Sequence, residues 1–219
     1  MAQTIVKICG ITNLEDAVCA TEAGADMLGF IFYPPSPRAV SVLNAQRIAQ
    51  QLRAQFAQLP ILVGVFVNET SAHMESILQI VGLDLAQLSG KELPETLQAL
   101  QPRAYKALRG KQWQQDESRW RMYLHSQKSS LSHPPDLLLE ADHDTLYGGT
   151  GHRANEALAA MLATQFKLLL AGGLSPDNVA EIVQRIRPWG VDVASGTELS
   201  QGIKDHVKIK QFIDTVRNA

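Results

Sequence analysis

Residues 6–12 read VKICGIT, and this stretch decides between two ways of building an alternating α/β chain. A short apolar run ends in Cys9 and is followed by a single glycine, Gly10. An open, doubly wound sheet that binds a dinucleotide carries a glycine-rich fingerprint after its first strand. CGIT offers one glycine, which discounts that arrangement. The alternative is a closed barrel, whose active site lies where its strands end.

Working outward, runs rich in Val, Ile, Leu and Ala recur at 4–9, 26–32, 61–67, 84–88, 104–108, 136–140, 166–171 and 190–194. Their apolar content and flanking turn residues predict strands. Amphipathic stretches lie between them. Asn13 predicts the cap of a helix over 13–23, with Gly24 as its stop. Thr70 and Gly82 bracket 70–81, and Ser175-Pro176 and Pro188 bracket 177–187. Eight strand-then-helix units in 219 residues, about 27 residues each, fit a short barrel. Strict alternation implies parallel strands with helical crossovers. The fold class predicted is α/β, a (βα)8 TIM barrel, as a single domain over 1–219. Ser126–Pro135, polar and carrying Pro134-Pro135, reads as a mobile loop rather than a domain linker.

Composition narrows the function. Hydrophobic residues make up 45% of the chain, enough for a sizeable core. A net charge of -2 gives no electrostatic reason to expect nucleic acid or an anionic membrane as partner. There is no stretch of about 18 apolar residues to span a bilayer. The start, MAQTIVKICG, lacks the basic segment and apolar run of a signal peptide, so a cytoplasmic location is expected. The two cysteines, Cys9 and Cys19, are too few for a disulfide framework and fit no zinc spacing. His73, His125, His133, His143, His152 and His206 are scattered without ligand spacing, so no metal is expected.

The strand ends carry the chemistry. Alternation puts Ile5, Lys7 and Cys9 on one face of the first strand. Barrel closure sets the eighth strand beside the first, and its only acid is Asp192, which predicts a Lys7–Asp192 pair. Such a cation favours the thiolate of Cys9; an ordinary thiol pKa of about 8.5 leaves only a few per cent ionised at neutral pH. Position alone leaves an inert buried thiol equally open. Cys19, mid-helix, reads as packing.

The sixth run ends LLLEAD, which sets Glu140 at the mouth and Asp142 two residues on, on the same face. A carboxyl at a partly apolar rim can hold a proton and donate it, although a solvated loop acid is the commoner fate. Gly172-Gly173 follow the seventh strand, and Ser195-Gly196 follow the eighth and open a short helical turn. Barrels often hold phosphate in these two loops through backbone N–H groups. Gly148-Gly149-Thr150-Gly151 adds possible donors. Arg38 lies in PPSPRAV, where three prolines stiffen the loop; it can clamp a carboxylate or be a plain surface arginine. Together these features point to an enzyme acting on a phosphorylated small molecule.

KICGIT, GADMLGFIFYPPSPRAV, VGVFVN, LDLAQLSGKE, YGGTG, LAGGLSPDNV and VDVASGTE with GIKD run in order between residues 5 and 215. In this they resemble the phosphoribosylanthranilate isomerase family of tryptophan biosynthesis. The resemblance implies a (βα)8 barrel and an Amadori rearrangement of N-(5-phosphoribosyl)anthranilate, a phosphorylated aminosugar, without a cofactor. It implies Cys9 as general base at C2 of the sugar. The family's acid is an aspartate at the end of the sixth strand; Glu140 stands there, with Asp142 as fallback. Arg38 takes the place of the arginine for the anthranilate carboxylate, and Gly172, Gly173, Ser195 and Gly196 that of the phosphate loops.

Three departures bear on efficiency. Ser89 stands where the family has histidine, and Asn155-Glu156 replaces an aspartate-tryptophan pair. Glu140 is one methylene longer than aspartate, and a misplacement of about 1 Å can cost about 100-fold in rate. A weakly active or non-catalytic phosphosugar-binding barrel of the same family is therefore the alternative reading. A histidine-pathway isomerase would use two aspartates, and Cys9 speaks against it. Oligomeric state and action on other aminoaldose phosphates are not legible.

Overall fold

The structure, a computed structural model, describes residues 3–126, 135–140 and 151–219. Eight parallel strands close into a barrel in chain order: β1 (Ile5–Cys9), β2 (Met27–Ile31), β3 (Ile61–Phe66), β4 (Leu85–Leu88), β5 (Ala104–Arg109), β6 (Leu137–Glu140), β7 (Leu168–Ala171) and β8 (Gly190–Val193). Helices α1 (Leu14–Glu22), α2 (Val42–Gln55) and α3 (Ser71–Val81) follow the first three strands. The fourth unit has only the short α4 (Pro94–Gln98), and α5 (Gly110–Gln115) and α6 (Glu117–Ser126) both follow β5. Then come α7 (Gly151–Ala163), α8 (Val179–Ile186) and α9 (His206–Arg217).

The sequence boundaries hold closely. Asn13 accepts from the backbone N–H of Asp16 to cap α1, and Thr70 caps α3 through His73 N–H. Each such cap is worth about 1 kcal/mol. Gly82 ends α3 in the left-handed conformation. One element was not foreseen. Between β8 and α9 lies a small antiparallel hairpin, β9 (Glu198–Ser200) and β10 (Ile203–Lys204). Strands of two and three residues carry too little periodicity to read. Residues 127–134 of the expected Ser126–Pro135 loop lie outside the described residues, as do His133 and His143.

The barrel strands are buried on both faces. On β6, Leu137 and Leu139 pack outward against the helices, while Leu138 faces the axis with Met27, Val63, Tyr105 and Leu169. This double burial explains the unbroken leucine run. Each leucine so buried contributes about 1.5–3 kcal/mol. The same alternation sends Lys7 and Cys9 of β1, Arg109 of β5 and Glu140 of β6 toward the axis. The barrel thus gathers its polar strand-end residues at one mouth.

Candidate active site

Closure sets β8 beside β1 with Lys7 opposite Asp192. Lys7 Nζ, fully buried, donates to Asp192 Oδ1 at 2.8 Å and to Gln87 Oε1 at 3.0 Å. The Cys9 thiol stands on the same face of β1 and feels the charge of this ammonium. Gln87 is fixed in turn: its Oε1 accepts from Tyr105 Oη at 2.8 Å and its Nε2 donates to Ser89 Oγ at 3.1 Å. Ser89, where the resembled family has histidine, therefore sets the orientation of the Gln87 amide.

Burial alone would strip the proton from Lys7, but the Asp192 carboxylate overrides it and holds the ammonium well above its ordinary range. Burial also pushes the Cys9 thiol up, by more than Lys7 pulls it down, and Asp192 adds to the upward push. This corrects the expectation that the neighbouring cation would leave the thiol easier to ionise. The attraction is present, but removing a thiolate from water costs more. The contact needs space that only glycine provides. A Cβ at Gly29, opposite Cys9 on β2, would sit 2.7 Å from Sγ and 3.2 Å from Lys7 Nζ. Cys19 packs in the core as expected.

Glu140 ends β6 in register with Arg109 of β5, and Arg109 Nε donates to Glu140 Oε2 at 3.2 Å. The Glu140 side chain is 46% exposed. Among the described residues, its neighbour at this level is the charged end of β5 rather than the expected apolar rim. Asp142 and Gly148–Thr150 lie outside the described residues; Gly151 opens α7. Glu156 pairs with Arg185 of α8 on the outside of the barrel.

Two loops meet at the seventh and eighth strand ends. Ser195–Thr197 forms the expected helical turn. A Cβ at Gly196 would come within 1.8 Å of the Leu174 carbonyl oxygen, so only glycine lets this turn lie against the loop after β7. That loop is closed by Asn178, which accepts from Ser175 N–H and donates to the Gly173 carbonyl, both at 2.9 Å. Among the described residues, no acceptor takes the backbone N–H of Gly172, Gly173, Ser195 or Gly196. Such donors suit an anion.

Arg38 is not a free surface residue. Its Nε and Nη2 donate to Glu198 Oε1 and Oε2 at 2.6 and 2.7 Å. Lys204 Nζ, buried, reaches the Ala194 carbonyl at 2.7 Å and Glu198 Oε1 at 3.5 Å. Among the described residues, Lys7, Lys204, Arg38 and Asp192 thus lie within electrostatic reach of the Cys9 thiol, and Glu198 pairs with Arg38 and Lys204.

The family model for N-(5'-phosphoribosyl)anthranilate (PRA) isomerase matches residues 6–215. The chain belongs to the phosphoribosylanthranilate isomerase family. A relative from Pelobacter propionicus named N-(5'-phosphoribosyl)anthranilate isomerase is 43% identical over 208 residues, covering 95% of this chain and 93% of its own. The crystal structure of phosphoribosyl anthranilate isomerase from Thermotoga maritima superposes with a TM-score of 0.80 at 36% identity, covering 99% of this chain and 100% of the other. A further structure, solved in complex with reduced 1-(o-carboxyphenylamino)-1-deoxyribulose 5-phosphate, gives 0.79 at 34% identity, with 99% and 100% coverage.

The members of this family site that single-residue reading missed are supporting ones. Gln87, Tyr105, Glu198 and Lys204 are all buried; Gln87 and Tyr105 lie inside apolar strands, whereas Glu198 and Lys204 lie in the polar stretch SGTELSQGIKD. For Gln87 and Tyr105 that placement was a usable signal, because a buried polar side chain needs a partner; Glu198 and Lys204 offered none.

Proposed function

We propose that this chain catalyses the Amadori rearrangement of N-(5-phosphoribosyl)anthranilate to 1-(2-carboxyphenylamino)-1-deoxyribulose 5-phosphate, as an aldose–ketose isomerase of tryptophan biosynthesis. The observation that carries the proposal is the buried Cys9 thiol at the mouth, beside the buried Lys7–Asp192 pair, in a chain of this family.

In this reading Glu140 protonates the furanose ring oxygen and the anilino nitrogen pushes the ring open to an iminium. Cys9, as thiolate, removes the C2 proton; the resulting enolamine tautomerises to the ketose. Asp142 is the fallback for the acid. Arg38 takes the anthranilate carboxylate, and the backbone donors of Gly172, Gly173, Ser195 and Gly196 take the phosphate. The raised thiol is a stronger base than an ordinary one, which suits proton abstraction from carbon once it is ionised. The reaction needs no cofactor, since every proton moves between side chain and substrate. The chain acts as one domain in the cytoplasm, with this phosphorylated aminosugar as its partner rather than nucleic acid or membrane.

The deciding experiment is a steady-state assay with freshly generated phosphoribosylanthranilate, supported by rescue of a tryptophan auxotroph lacking the isomerase. Turnover and rescue are expected. Tight binding of the reduced product analogue without turnover or rescue would instead support a phosphosugar-binding barrel.

A further inference from the structure

We infer that Glu198 is a positioning residue that makes Arg38 selective for a carboxylate on the aromatic amine, while tying it to the anion loop after β8. The inference rests on the reading of Arg38 given above and deepens it. A guanidinium has five N–H groups arranged along three edges. Glu198 takes the edge formed by Nε and Nη2 with two short, parallel hydrogen bonds. The end-on edge, formed by Nη1 and the second proton of Nη2, finds no acceptor among the described residues. That edge is a second fork, matched in width to one more carboxylate.

The rest of the side chain is pinned as well. The Arg38 stem crosses Gly10, the residue after Cys9, so closely that a Cβ there would lie 2.9 Å from Cδ. Glu198 cannot swing away, because its side chain is 5% exposed and Lys204 faces its other flank. The hairpin that carries Glu198 is itself anchored. Thr12 Oγ1 donates to the Gly202 carbonyl at 2.6 Å, and Lys204 N–H donates to Asp16 Oδ2 at 3.0 Å. Glu198 lies three residues after Ser195, so the carboxylate fork and the phosphate donors hang on one short, braced segment. The distance between the two anionic ends of the substrate is therefore built into this segment.

Burial would hold the Glu198 proton on, yet Arg38 and Lys204 outweigh it and keep the carboxyl below its ordinary range. Replacing it with glutamine keeps the shape but turns one acceptor into a donor facing a donor, which breaks the fork.

The test compares phosphoribosylanthranilate with phosphoribosylaniline, which lacks the carboxylate, in wild type, Arg38→Met, Glu198→Gln and Glu198→Asp. Inhibition by inorganic phosphate and the thermal midpoint are followed in parallel. In Glu198→Gln, KM for the carboxylated substrate should rise about tenfold or more with kcat far less affected, the signature of lost binding rather than lost chemistry. The preference for the carboxylated substrate should collapse toward that of Arg38→Met, and Glu198→Asp should recover part of it. Inhibition by phosphate should persist, which shows the barrel is intact. A collapse in Arg38→Met with an unchanged preference in Glu198→Gln overturns the positioning role alone. No preference in wild type overturns the reading of Arg38. A Glu198→Gln variant that fails to fold shifts the decision to Glu198→Met, which removes the carboxylate, and an unchanged wild-type preference there overturns the inference.

Discussion

The two sides of the barrel mouth are built in opposite ways. On the side of β8, β1 and β2, Cys9 sits among buried charges, each with a named partner, and Lys7 is held by Asp192 and Gln87. On the side of β5 and β6, the inward-facing ion pair among the described residues, Arg109–Glu140, is half exposed or more, with side chains 64% and 46% exposed; the buried Lys106–Glu92 pair lies on the opposite face of β5. A base that must take a proton from carbon gains from a dry site that keeps its conjugate acid weak. An acid that must give up a proton and regain one each cycle can use contact with solvent. The asymmetry follows from depth: Lys7 and Asp192 meet in register inside β1 and β8, whereas Arg109 and Glu140 meet only at the last residues of β5 and β6.

The comparison breaks most plainly at Cys9. Cys9→Ala should lower turnover by about 1,000-fold or more, at the upper part of the range for general-base loss, while calorimetry still detects the product analogue. Cys19→Ala should be nearly silent. Substantial activity in Cys9→Ala would remove the dry side from the mechanism.

On the wet side, Glu140→Gln should cost about 100- to 10,000-fold in kcat, and Glu140→Asp should preserve or improve activity. Should Asp142→Asn prove the damaging change instead, the acid lies beyond the strand end.

Lys7→Met probes the buried network by two readouts. It leaves Asp192 unpaired in the interior, so denaturant unfolding should show a loss of about 3–5 kcal/mol. The pH dependence has a definite sign. A thiolate base gains activity as pH climbs through the thiol's pKa, which burial already raises. In the wild type kcat/KM should still be climbing at neutral pH, and without Lys7 the same limb should move further to the alkaline side. A limb that stays put would mean that Lys7 serves packing only.

The smallest effect belongs to Arg109→Gln. An exposed pair contributes about 0–1 kcal/mol, so stability should hardly change. A loss as large as that in Lys7→Met would erase the distinction between the two sides.

Much of this was legible without coordinates. The eight apolar runs fall within about two residues of the observed strands, because parallel strands buried on both faces leave long apolar signatures. Barrel closure follows from their number and alternation, and closure alone was enough to pair Lys7 with Asp192 across 185 residues. The motifs were specific enough to indicate the family. The hairpin at 198–204 was not legible, nor was the role of Gly29, whose missing Cβ makes room for a thiol on the neighbouring strand.

The sequence by itself determined the order of elements, the barrel, and which residues stand at the strand ends, since these depend on local pattern and on counting units. Only the tertiary structure decided what each of those residues experiences. Ionisation depends on the balance between burial and neighbouring charge, and that balance is set by side chains distant in the chain. Cys9 therefore ends with its thiol pushed up despite a lysine beside it, and Glu140 with an arginine as its partner and nearly half of its side chain exposed. Arg38 gains a carboxylate partner 160 residues away, a contact no reading of PPSPRAV contains.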